Sequence, residues 1–89
     1  KGDDMEERLK EIINEKIKDM NIFVDSIKLE KEGNETFLRI ALDADFMIDL
    51  SKVVMVTRII NPILDKEDLI KDEYMLDVYA KSKGDVESE

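Results

Sequence analysis

The side chains that most often carry enzyme chemistry are scarce in this 89-residue chain. It contains no histidine and no cysteine. The commonest general base is therefore absent, and disulfides, zinc–thiolate sites and thiol catalysis are excluded. Serine and threonine would need a lysine or carboxylate to activate them, and no spacing suggests such a pair. Three scattered glycines cannot form a phosphate-binding loop. We therefore expect a protein that is not an enzyme and that uses no cofactor.

One cluster of carboxylates lies between predicted elements: Asp43, Asp45 and Asp49. A calcium loop would need oxygen ligands at regular spacing and a glycine for its sharp turn. This segment contains no glycine, and Asp49 is placed to cap a helix. We therefore expect no metal site here.

The charge balance favours one class of partner. The chain has 14 Lys and Arg against 23 Asp and Glu, a net charge of −9. An acidic chain repels nucleic-acid phosphate unless its basic residues gather on one face. Direct nucleic-acid binding is therefore not expected, and a basic protein partner suits the chain better. There is no apolar run of about 18 residues and no signal-peptide core, so we expect a cytoplasmic protein that does not bind membranes.

Hydrophobic periodicity predicts the elements that must position these side chains. Apolar residues at helical spacing predict a first helix from about Asp4 to Asp19, capped by Asp3 or Asp4. Alternating apolar residues on either side of residues 32–35 predict a β-hairpin. Its core face is expected to hold Ile27, Leu29, Leu38, Ile40 and Leu42.

The run from Leu50 to Leu64 carries conflicting signals. Its β-branched residues favour a strand, whereas its length and the preceding Asp49 favour a helix. We interpret it as a helix, which Pro62 should bend or loosen in its last turn. A charged loop over residues 65–73 is expected to follow.

The last predicted element is a strand from Tyr74 to Ala80, with Leu76 and Val78 facing inward. The element order is then α-β-β-α-β. This order predicts an α+β fold in which two helices pack on one face of a three-stranded sheet.

Strand alternation places a mixed group of side chains on the other, uncovered face of this sheet. The group is Phe37, Arg39, Ala41, Met75, Asp77 and Tyr79. Two aromatics, a methionine and an arginine are typical of a binding patch. Ordinary exposed residues, or a face covered by the tail or another domain, would give the same pattern. Aromatic residues on a sheet also occur in RNA-recognition modules, but the acidic surroundings and the single arginine disfavour RNA.

From roughly Glu6 to Val78 the chain resembles the N-terminal domain of the RimP family of ribosome maturation factors. The matching motifs are Leu38-Arg39-Ile40-Ala41-Leu42-Asp43, Asp49-Leu50, Val56-Thr57-Arg58, Leu64-Asp65 and Tyr74-Met75-Leu76-Asp77-Val78. Each motif is short, and their order and spacing together carry the resemblance.

The resemblance implies a non-enzymatic assembly factor. Such proteins bind the small ribosomal subunit and help one of its basic proteins join the maturing particle. The acidic charge suits this role, because it speeds encounter with a basic partner. The contact residues implied by the family pattern are Arg39, Asp43, Arg58, Tyr74 and Asp77. Phe37 and Tyr79 are added by the sheet-face argument alone.

The chain departs from the family after Val78. The family continues into a Ser-Ser-Pro-Gly turn and an SH3-like barrel, whereas here residues 79–85 contain no proline. We therefore expect a domain over residues 1–80 and a charged tail or linker over 81–89, with the barrel absent. The chain would then be an isolated N-terminal domain or a truncated relative.

The alternative is a small α+β regulatory or dimerisation domain that binds a ligand, or itself, through the open sheet. The sequence does not decide between these functions and leaves the oligomeric state open.

Overall fold

The computed structural model describes residues 5–81 of the chain. Its elements, in order, are α1 (Met5–Ile17), a 3₁₀ turn (Lys18–Met20), β1 (Ile22–Glu32), β2 (Glu35–Ala44), α2 (Leu50–Glu67) and β3 (Met75–Ala80). This confirms the α+β class and the order α-β-β-α-β. The cap predicted at Asp3 or Asp4, and the predicted tail beyond residue 81, lie outside the described residues.

The sheet is mixed, with strand order β1-β2-β3. β1 pairs with β2 antiparallel through the hairpin, and β3 pairs with β2 parallel. A parallel pair needs a crossover connection, and α2 supplies it. Since β2 is the central strand, its side chains have neighbours on both β1 and β3.

One hydrophobic core lies between the helices and a single face of the sheet. Its fully buried members include Leu9, Ile13 and Ile17 of α1, Leu38, Ile40 and Leu42 of β2, and Val56 and Ile60 of α2. In β2 these core residues alternate with Phe37, Arg39 and Asp43, which are half-buried, and with Ala41, which is buried too. The helices therefore pack on one face, and no element within residues 5–81 covers the opposite face, called the open face below.

The structure corrects the first strand of the predicted hairpin. β1 begins earlier than expected, and Ile22 and Val24 are buried in the core. A β-bulge between Val24 and Ser26 shifts the register, so the alternation of inward residues changes phase at that point. Leu29, predicted in the core, is 37% exposed, because β1 is an edge strand of the sheet that the described residues form.

α2 confirms the helix interpretation and its cap. The Asp49 carboxylate accepts hydrogen bonds from the Lys52 backbone N–H at 3.1 Å and from the Ser51 hydroxyl at 2.9 Å. These two bonds, the backbone one first, lower the pKa of the Asp49 carboxyl. The helix continues past Pro62 to Glu67, so the loop predicted over residues 65–73 begins later than expected. The bend expected at Pro62 stays a prediction.

Candidate partner-binding surface

Five of the seven predicted site residues lie on the open face of the sheet. In the register of β2 and β3, Phe37 is opposite Met75, Arg39 is opposite Asp77, and Ala41 is opposite Tyr79. The alternation along β2 puts Asp43 on the same face, opposite Phe23 of β1. Strand alternation therefore predicted the correct face for these side chains, but Ala41 is buried on it and offers no exposed contact.

Arg39 is the centre of an ion-pair network on this face. Its Nε donates to Glu30 Oε1 at 2.9 Å, Nη1 donates to Asp77 Oδ2 at 3.1 Å, and Nη2 donates to Glu32 Oε2 at 3.3 Å. The guanidinium carbon lies 4.8 Å from the centroid of the Phe37 ring, within reach of a cation–π interaction. Because β2 is central, one side chain joins all three strands. Arg39 is therefore committed to internal partners and is poorly placed to bind a phosphate or a partner's carboxylate.

The network leaves an excess of negative charge on the open face. Three carboxylates surround one guanidinium, a balance of −2, and their side chains are 42% (Glu30), 59% (Glu32) and 46% (Asp77) exposed. Lys28, opposite Arg39 in β1, offsets only part of this excess. An ionised carboxylate has about four acceptor sites, so these groups can accept further hydrogen bonds from a cationic partner.

Apolar side chains flank the network on the same face. Phe23 is 46%, Met75 is 56% and Tyr79 is 43% exposed. Large aromatic and methionine side chains are enriched in protein interfaces and often supply much of the binding energy. The open face therefore combines exposed apolar contacts with surplus carboxylates, which suits a partner segment that is both basic and amphipathic.

The other two predicted site residues lie elsewhere. Arg58 is exposed on α2, and therefore on the helix side of the sheet. Tyr74 directly precedes β3 and packs against the core. Its burial, followed by the negative charges of Asp65 and Asp68, raises the pKa of its phenol. The seven residues do not form one continuous surface.

A second exposed apolar area was missed by the sequence reasoning. Met47 is 72%, Leu50 is 75% and Met55 is 51% exposed, and Val54 is 42% exposed on the same helix. The helical spacing of Leu50, Val54 and Arg58 puts them along one stripe of α2. This spacing is visible in the sequence, but the sequence does not show which stripe of α2 faces the solvent.

Two further kinds of site are absent from residues 5–81. No group of acidic side chains there is arranged to hold a metal ion. Neither helix of this part of the chain is long and apolar enough to cross a membrane.

Comparison with known protein families shows a match over most of the chain. The family model described as the RimP N-terminal domain matches residues 12–80, more than three quarters of the 89-residue chain. The matched segment begins within α1 and ends at the last residue of β3, so it covers the whole sheet and the crossover helix. The chain therefore belongs to the RimP N-terminal domain family, a family of ribosome maturation factors.

Proposed function

We propose that this domain assists assembly of the small ribosomal subunit in the cytoplasm by binding the subunit and one of its basic proteins, without catalysing a reaction. The binding surface in this proposal is the open face of the sheet, with Phe37, Arg39, Asp43, Asp77 and Tyr79. The observation that carries it is the combination of exposed apolar side chains with an excess of carboxylates over cations in the Arg39 network on that face.

Electrostatics supports a basic protein rather than RNA as the direct partner. A net charge of −9 attracts a cationic protein over several ångströms and raises its association rate. The Arg39 donors that could contact phosphate are already hydrogen-bonded to three carboxylates. Ionic screening should weaken such binding, since the Debye length falls from about 10 Å at 0.1 M salt to about 3 Å at 1 M.

The test is an NMR titration of the isotopically labelled chain with small ribosomal subunits and, separately, with their purified basic proteins. We expect shifts in a contiguous patch at Arg39, Met75, Asp77 and Tyr79 that weaken as salt is raised. Shifts confined to α2 around Arg58, or none with any ribosomal component, would overturn the open-face proposal.

A variant pair sharpens this test. Replacing Met75 and Tyr79 together by alanine removes exposed apolar contacts from the open face and should weaken binding about tenfold or more. Glu11→Gln is the matched control, because Glu11 is exposed on α1, on the other side of the sheet. It should leave the affinity nearly unchanged.

The alternative to this proposal is that the domain dimerises through the open face. Two copies would bring together two chains of charge −9, which repel each other. Self-association through the outer edge of β1 is a separate mode. It is hindered by the bulge at residue 25 and by the lysines Lys28 and Lys31. Light scattering that reports a dimer mass, lost in the Met75 and Tyr79 double variant, would favour the dimerisation function.

A further inference from the structure

A cavity of about 250 Å³ lies at the end of the sheet where β2 and β3 begin. It is lined by Asn34, Glu35, Thr36, Glu73, Tyr74 and Met75. Sites for small molecules usually enclose about 300–1,000 Å³, so this cavity better suits a single side chain. Met75 also lies on the open face, and the cavity is therefore continuous with the proposed binding surface.

Thr36 gives the cavity a buried polar group without a partner. It is 9% exposed and is the one buried polar residue in the described part of the chain. Its hydroxyl makes no side-chain hydrogen bond to any residue within 5–81. The hydroxyl can therefore accept a hydrogen bond from a ligand that enters the cavity.

The charges at the cavity have one sign. Glu35 and Glu73 line it, and neither forms an ion pair within the described residues. Burial, followed by the negative charges of Asp65 and Asp68, raises the pKa of the Tyr74 phenol, so two further carboxylates act on this end of the sheet. None of the lining residues is a cation. This cavity thus lacks the internal counter-charge that Arg39 provides on the open face.

We propose that the cavity receives an arginine side chain from the basic partner. Its guanidinium would bind between the Glu35 and Glu73 carboxylates, donate to the Thr36 hydroxyl, and lie against the Tyr74 ring. A guanidinium is planar, carries five donors and stacks on aromatic faces, so it can make all of these contacts at once. The identification of its source as a ribosomal protein rests on the proposed function, whereas the specificity for a guanidinium does not.

The Tyr74 phenol supports this assignment. A phenol with an ordinary pKa of about 10 is already neutral at physiological pH and keeps its hydroxyl donor, and burial raises the pKa of Tyr74 further. A neutral phenol ring presents a negative π face to a cation. In this proposal Tyr74 contacts the partner's arginine directly, although it lies away from the predicted contact residues on the open face.

The test is a titration of the labelled chain with N-acetyl-arginine amide, followed through the backbone amides of Thr36, Tyr74 and Met75. N-acetyl-citrulline amide is the matched probe, because it has nearly the same shape without the charge. We expect saturable shifts with the arginine probe and none with citrulline. Equal shifts with both probes, or no saturable shifts with either, would overturn the proposal.

The variant Glu35→Gln with Glu73→Gln keeps the shape of both side chains and removes their charge. Both residues are exposed, so the fold should be retained, as circular dichroism can verify. Affinity for the arginine probe should fall about tenfold. The control Glu11→Gln should leave it unchanged. Unaltered affinity in the double variant would refute the assignment.

The two proposals fail in distinguishable ways. If the arginine probe binds the cavity but no ribosomal component shifts the open face, the ribosomal function is wrong and the cavity assignment stands. If a basic ribosomal protein shifts the open face equally in the wild type and in the Glu35→Gln, Glu73→Gln variant, the cavity assignment is wrong and the proposed function stands.

Discussion

Replacing Arg39 by methionine removes the cation that joins the three strands while retaining an apolar stem of similar length. Three carboxylates would then lie together without the guanidinium that each of them contacts, at positions on β1 and β3 that the sheet holds in place. The substitution should therefore destabilise the fold, although Arg39 is a side chain on the open face and lies outside the hydrophobic core.

The magnitude follows from the contacts. Each of the three carboxylates is more than a third exposed, so each ion pair contributes only about 0.2–1 kcal/mol. The contact with the Phe37 ring adds about 0.5–1 kcal/mol. The loss is then about 1–4 kcal/mol, a substantial part of the roughly 5–15 kcal/mol that stabilises a typical domain. At this chain length each kcal/mol lowers Tm by about 4–8 °C.

Urea unfolding of the wild type, Arg39→Met and Arg58→Met measures this loss. Arg58 is the matched control, because it is exposed on α2 and forms no ion pair among residues 5–81. Its substitution should change stability by less than about 0.5 kcal/mol. The cost of Arg39→Met should shrink at about 1 M salt, where screening is strong.

A double-mutant cycle isolates the network. Asp77→Asn should destabilise the wild type but should cost less, or even stabilise, once Arg39 has been replaced. Equal stability of the Arg39→Met and Arg58→Met variants in low salt would refute the argument that the network supports the sheet.

Three further predictions concern other parts of the fold. Asp49→Ala should lower the urea midpoint near neutral pH. The pKa of Asp49 is lowered in the folded state. The difference in stability between the wild type and Asp49→Ala should therefore be complete above the unfolded pKa of about 3.9 and should disappear as the pH falls through the folded value. Asp49→Asn keeps the capping oxygen and should differ little from the wild type at neutral pH. Gly33→Ala should cost about 1–2 kcal/mol by urea unfolding, because φ at residue 33 is +65°, a conformation that a Cβ disfavours; no loss would mean that the turn adopts another conformation. Leu42→Ala should cost about 2–5 kcal/mol because Leu42 is fully buried, whereas Leu50→Ala, at a residue 75% exposed, should cost little; similar losses would contradict the assigned core.

Local patterns were sufficient for much of the architecture. Period-two alternation in β2 and β3 identified both the inward residues and the open face, since neighbouring side chains of a strand point to opposite sides. The position of Asp49 before a long apolar run located the start of α2. In β1 the alternation correctly placed Ile27 in the core but did not identify Ile22 and Val24. A bulge after Val24 inserts one residue and reverses the alternation there, without leaving a recognisable mark in the sequence.

The site depended on contacts between segments that are distant along the chain. Arg39 and Asp77 are 38 residues apart, and they meet because β2 lies between the other two strands. Glu35 and Glu73 line one cavity because β3 runs parallel to β2 and begins at the same end of the sheet. Arg58 lies away from the other candidates because α2 packs on the opposite face of the sheet. Periodicity and capping arise from neighbouring residues and can be read locally, whereas strand order, register and the docking of helices arise from burial of the whole core.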